Sequence, residues 1–177
     1  METAYAHQRY YHNFYHLHAL WQELLPVQDQ VDDWEIIVMT LFYHDIIYDV
    51  QRQDNEEQSA HLASKALGCL NFDISRMNRC SRHILFTKNH QPKNDVDSSI
   101  FCSADLAILG SEPGTYDQYL KAVRKEFSFY PDEVFLSARK KFIEDFLKRE
   151  KIYPHIYFHN RYESRARKNL LGELMSL

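Results

Sequence analysis

Apolar and polar positions alternate along this chain with the period of helices rather than strands. From Ala4 to Leu25 two adjacent stripes run at helical spacing, and Pro26 is expected to end them. One stripe is Tyr11, Tyr15, His18 and Trp21/Gln22; the other is His12, His16, Ala19/Leu20 and Glu23. Trp34 to Asp45 is nearly continuous in apolar residues, which suits either a buried strand or a buried helix. Its length, beyond about ten residues with no Gly or Pro, predicts a central helix, with the Asp32-Asp33 pair able to cap its start.

The same reading predicts a helix from Asp54 to about Gly68, opened by a capping box of Asp54 and Glu57. Another runs from Asp73 to about Phe86, with Ile74, Met77, Cys80/Ser81, Ile84 and Leu85 inward. Asp95 to Leu109 follows, with Gly110 well placed just past its end. Thr115 to Phe127, Pro131 to about Glu150 and Arg161 to Met175 complete the set, with Thr115 a cap and Pro131 a first-turn residue. The expected fold is therefore all-α, one domain over residues 1–177, a bundle of about seven to eight helices.

Composition narrows this picture. At 177 residues the chain can bury a core of its own, and four Gly and five Pro argue against disorder and against a turn-rich β-sandwich. A net charge of −4 with the signs mixed excludes an extended nucleic-acid-binding face. Arg161, Arg165, Arg167 and Lys168 make one local basic face, read as solvated or as a phosphate contact. The three cysteines form no close pair, and no apolar N-terminal segment resembles a signal peptide or a membrane span. A reducing, cytoplasmic setting is expected; assembly into a homo-oligomer is left open.

The chemistry enters through misplaced charge. His44 and Asp45 sit inside the apolar and aromatic run Leu41 to Asp49, and Asp105 interrupts a second apolar run between Ala104 and Leu106. A buried, unpaired carboxylate costs several kcal/mol or protonates, so each acid calls for a counter-charge. One cation can serve both. His12 or His16 from the first helix, His44 and Asp45 from the second and Asp105 from the fifth make a mixed imidazole and carboxylate set. Such donors suit a divalent ion such as Mn, Fe, Zn, Co or Mg, and the lack of cysteine ligands disfavours a purely structural zinc site. Glu56 or Glu57 is expected to cap its helix or to lie beside the ion. Lys88 and His90, in the polar segment before Pro92, are placed to meet phosphate or to stay solvated.

These residues resemble the HD-domain metal-dependent phosphohydrolases, marked by a histidine, a later His-Asp pair and a distal Asp. The matching positions are His12 in Arg9-Tyr10-Tyr11-His12, the pair His44-Asp45, and Asp105 in Ser103-Ala104-Asp105-Leu106. A subgroup of predicted HD-superfamily phosphohydrolases is resembled through further ordered blocks. These are Tyr11 to His16, Phe42 to Tyr48, Asn55 to Ala60, Thr87 to His90, Ala104 to Gly110 and Ala166 to Leu170.

The resemblance implies an HD-like helical fold and hydrolysis of a phosphate ester or anhydride, with a small phosphorylated substrate such as a nucleotide. On that basis His12, His44, Asp45 and Asp105 are the expected metal ligands, and His16 competes for the first place. Asp49, Glu56 or Glu57 would position or deprotonate the attacking water, and Asp49 lies one residue beyond where some relatives carry a catalytic carboxylate. His16, His83, Lys88 or His90 would hold phosphate or a second ion. Two other readings stand beside it: a di-iron oxygenase of HD type, and a metal- or nucleotide-binding regulatory module without turnover.

Overall fold

Asn13 starts the first described helix: its extended backbone and its Oδ1, 2.9 Å from the Tyr15 amide, cap α1, Phe14–Leu24. A computed structural model describes residues 9–92 and 95–177, and every regular element among them is helical. The first helix was expected from Ala4; Ala4 to Gln8 lie outside the described residues, and Arg9 to His12 precede α1 rather than belong to it. His12 and His16 therefore do not share one helical face. Nor does Pro26 end the winding, because it occupies the first turn of a 3-10 segment, Leu25–Gln30, where its missing N–H has no bond to lose.

Asp33 caps α2, Trp34–Tyr43, and also takes Arg76 of a later helix at 2.6 Å. Helix α3, Asn55–Cys69, lacks the expected capping box: the Asp54 carboxylate binds Arg52 and Gln58 instead of an amide. Its C-terminus closes on Asn71 in the left-handed region at φ 59°, with Phe72 N–H reaching the Leu67 carbonyl at 3.1 Å. Asp73 caps α4, Ile74–Thr87, in which Ile74 and Leu85 are exposed rather than inward.

Asp95 caps α5, Val96–Asp105, and the chain then tightens into a 3-10 segment, Leu106–Gly110, instead of running as one helix to Leu109. Asp105 thus stands at the junction. Gly110 is not in the left-handed region; a Cβ there would lie 2.6 Å from Tyr162 Cβ and 2.9 Å from its carbonyl oxygen, so glycine lets the last helix approach. The remaining helices are α6, Pro113–Glu126, α7, Asp132–Leu147, and α8, Ile156–Ser176. Thr115 lies inside α6 and is not its cap, while Pro131 directly precedes α7.

Helix α5 is wrapped on all sides: Ile100, Phe101, Cys102 and Ala104 are all buried. Ile100, Phe101 and Ala104 join Leu20, Leu24, Ile37, Leu41, Ile143 and Phe158 in the main core. Each large side chain there contributes about 1.5–3 kcal/mol by leaving water. A second core, Ile36, Ala63, Leu67, Cys80 and Ile84, fastens α3 and α4 onto α2. Both α2 and α5 are consequently rigid where they end, at His44 and at Asp105. Among the described residues no helix is long and apolar enough to cross a membrane.

Candidate metal centre

Three helix segments converge on one point. His16 comes from the first turn of α1, His44 and Asp45 follow the last turn of α2, and Asp105 is the last residue of α5. His16 Nε2 lies 3.2 Å from His44 Nε2 and 3.2 Å from Asp105 Oδ1. His44 Nε2 lies 3.2 Å from Asp45 Oδ2 and 4.0 Å from Asp105 Oδ1, and Asp45 Oδ2 is 4.0 Å from His16 Nε2. Ligands about 2.1 Å from a common ion sit about 3.0 Å apart at right angles and about 3.4 Å apart at the tetrahedral angle. The spacings among His16, His44 and Asp105, whose donor atoms all lie within 4.8 Å of one another, match a set able to surround one cation, and Asp45 stands at its edge beside His44.

Tautomer chemistry points the same way. His44 Nδ1 is 2.9 Å from the Leu41 carbonyl, which can only accept, so that nitrogen carries the proton. In the neutral ring Nε2 then presents a bare lone pair toward another imidazole and two carboxylates, an arrangement that needs a proton or a cation between them. A backbone carbonyl holding the far nitrogen is also how metal-ligating histidines are oriented. Without an ion the proton fills the role: burial alone would lower the His44 pKa, but Asp45 and then Asp105 lift it to about 9. Burial likewise opposes ionisation of Asp105, yet His16 and His90 hold its carboxyl well below the usual range. Asp45 is depressed in the same way, burial being outweighed by His44.

His90 completes the ring around Asp105, its Nε2 2.8 Å from Asp105 Oδ2 while Oδ1 faces the other imidazoles. It follows α4 with φ at 52°, the left-handed region that a non-glycine residue enters at a cost of order 1 kcal/mol. The other expected residues bind elsewhere, although the His12 ring lies against the cluster, 5.7 Å from that of His16. His12 is withdrawn from the cluster on its Nδ1 side, which is 2.7 Å from Glu126 Oε2, and its ring stacks on Tyr48. His83 is buried in α4 against Ser98 Oγ at 2.6 Å. Lys88 is paired with Glu57 at 2.6 Å and faces Glu56 at 3.9 Å. Asp49 is exposed, accepts from the Gln51 amide and lines a different cavity, beside Lys125 and Glu126. Among the described residues no hydrogen bond or ion pair joins Asp49, Glu56 or Glu57 to the cluster.

One residue of this neighbourhood escaped the sequence. Glu126 is buried at the end of α6 and accepts from the backbone amides of Tyr10, Tyr11 and His12 and from the Tyr48 hydroxyl. Burial opposes its charge, but His12 and those amides outweigh it and keep the carboxyl below its ordinary pKa. It anchors the approach to α1 and so aims His16. The signal was present: Tyr116, Tyr119, Val123 and Glu126 fall on one buried helical stripe.

The cluster is open on one side. A cavity of about 610 Å³ is lined by His16 and Asp105 and runs along α1 and the 3-10 segment after α5 toward Glu23, Ser111 and Arg165. A ligand of nucleotide size fits this volume. Comparison with family models, with curated proteins and with solved structures gives no match for this chain.

Proposed function

We propose that the chain is a metal-dependent phosphohydrolase whose divalent ion, of the Mn, Fe, Zn, Co or Mg class, is held by His16, His44, Asp45 and Asp105. The observation that carries this reading is the convergence of His16, His44 and Asp105, with Asp45 beside His44, where His16 and Asp105 line an open cavity. When bound, such an ion supplies charge neutralisation at a phosphoryl oxygen and draws the pKa of water toward neutrality. The chain's own work is positioning. Leu41 fixes the His44 ring, His90 fixes the Asp105 carboxylate, and Phe101, edge-on to His44 at 5.4 Å, keeps that side of the ring dry. Between His12 and His16, the spacing favours His16 as the first ligand.

The resemblance to HD-domain phosphohydrolases supports the same chemistry, with a small phosphorylated substrate such as a nucleotide and a reducing, cytoplasmic setting that suits three free cysteines. The open cavity favours turnover over a sealed regulatory module. His90 on the outer oxygen of Asp105 favours one second reading, a dinuclear site of oxygenase type, which would require ferrous iron and oxygen. The test is phosphate release from nucleotides, sugar phosphates and p-nitrophenyl phosphate with Mn, Co, Mg or Fe added to protein stripped with chelator. Metal-dependent release lost in Asp105→Asn supports the hydrolase; no release with any metal, or full activity in the variant, removes it.

A further inference from the structure

The cavity has two chemically different ends. His16, Ala19, Leu20 and Glu23 line it at the i, i+3, i+4, i+7 positions of α1, so the carboxylate of Glu23 begins about 10 Å along the helix from His16. In the same wall, Asp105 and Ser111 are separated by the five residues of the 3-10 segment, about 12 Å along its axis. Residues of both elements line the one cavity, His16 and Asp105 at the ion-holding end and Glu23 and Ser111 further along each.

That second end is unsatisfied. Tyr162 donates to Glu23 Oε1 at 2.7 Å and fixes the carboxylate, but Glu23 Oε2 has no hydrogen-bond partner although it is shielded from solvent. Ser111 Oγ, also in the cavity wall, is orphaned in the same way. A buried carboxylate oxygen without a donor is expensive, as is a hydroxyl with no partner, and a native protein keeps them where a ligand or an ordered water completes them, the ligand hydroxyl or N–H serving Glu23 and the Ser111 hydroxyl donating or accepting beside it. A carboxylate also repels a second phosphate from this end. Arg165 is spent on Glu112 and on the Gly110 carbonyl, while Arg161, also in the cavity wall, feels the Glu23 charge and offsets part of it without bonding Oε2. Tyr11, Tyr119 and Tyr162 add flat apolar wall between the ends.

We infer that Glu23 and Ser111 are specificity residues that select phosphorylated substrates whose other end, about 10 Å from the phosphoryl group, presents neutral hydroxyl or N–H donors to the cavity. Nucleosides and sugars share this chemistry. The phosphoryl end of the inference rests on the hydrolase reading, whereas the donor end stands on the orphaned polar atoms alone.

The experiment uses the full chain with added Mn and measures kcat and KM on nucleoside monophosphates, on hexose phosphates and on p-nitrophenyl phosphate, which carries no donor. It measures binding of adenosine, uridine and glucose by calorimetry in parallel. In Glu23→Gln, Tyr162 takes the carbonyl and an NH₂ group faces the cavity. The kcat/KM preference for the donor-bearing class over p-nitrophenyl phosphate is expected to fall about tenfold, through KM, and about threefold in Ser111→Ala. Whichever of the nucleoside or hexose arms shows the loss identifies the source. If both variants scale all substrates equally, or none, the inference is overturned. If no phosphate is released at all, binding decides: weaker nucleoside or glucose binding in Glu23→Gln keeps the donor site while the hydrolase reading falls, and no binding by the wild type removes both.

Discussion

Arg139 and Glu173 form a buried ion pair between α7 and α8, and the His16, His44, Asp45 and Asp105 cluster is a buried ionic group at the meeting of α1, α2 and α5; the two are built to opposite rules. In the first, Arg139 Nε and Nη2 meet Glu173 at 2.7 and 3.0 Å, Tyr119 accepts from Nη1 at 3.0 Å, and Tyr116 donates to Glu173 at 2.5 Å. One cation faces one anion, and every hydrogen bond is closed. In the second, two carboxylates face imidazoles that carry positive charge only by taking up a proton, as His44 does in the ion-free group, and the group opens onto a cavity. A balanced pair holds helices together. An unbalanced one is completed by a proton or a cation from outside, and that difference, rather than burial as such, is what supports the proposed metal site.

Mutations should separate the two regions. The largest effect is expected at the open one: Asp105→Asn should lower metal-dependent phosphate release at least about 10⁴-fold, more than about 5 kcal/mol of barrier. Its melting temperature in chelator at neutral pH should fall, because the carboxylate that His16, His90 and His44 hold ionised has gone. Steady-state kinetics and thermal melts on one preparation read both. The closed pair should lose stability and keep activity. Glu173→Ala leaves the Arg139 guanidinium buried without its anion and should cost about 4 kcal/mol of stability, seen in urea unfolding, with phosphate release per folded molecule within about twofold of the wild type.

A smaller effect concerns pH. His83 is wholly buried, and desolvation holds its pKa down at about 4 against an ordinary 6.5. The folded state thus prefers the neutral ring. Its contribution is complete above pH 6.5 and is lost as pH falls from 6.5 toward 4, up to about 3 kcal/mol over that window. Asp95 beside it, also depressed, adds a loss in the same direction only below its ordinary pKa. Unfolding free energies at pH 7 and 4.5 should therefore differ more in the wild type than in His83→Gln; equal slopes would mean that His83 does not titrate as its burial requires.

Much of this arrangement was legible because the acids stand out. Asp45 and Asp105 interrupt apolar runs, and both reach the cluster; Asp33, Asp73 and Asp95 cap helices where such residues should. The stripe His16, Ala19/Leu20, Glu23 is the wall of the cavity. His12 was harder, since the spacing from 12 to 16 continues the helical period and local sequence gives no reason to stop. The reason is remote: Glu126 draws the amides of Tyr10 to His12 out of helical pairing, so α1 starts one residue after His12's neighbour Asn13 takes the cap. The capping box failed for a similar cause, with Arg52 and Lys88 claiming the carboxylates of Asp54 and Glu57. Long-range pairing decides such cases, and spacing along the chain does not contain it.

The most direct test of the account is metal content, measured by plasma mass spectrometry on the wild type, His16→Ala, His12→Ala and Asp105→Asn after equilibration with Mn and desalting. About one ion per chain is expected in the wild type and in His12→Ala, with loss in His16→Ala and Asp105→Asn. A wild type that retains no stoichiometric metal, or a His16→Ala protein that keeps its ion while His12→Ala loses it, would contradict the assignment of this centre.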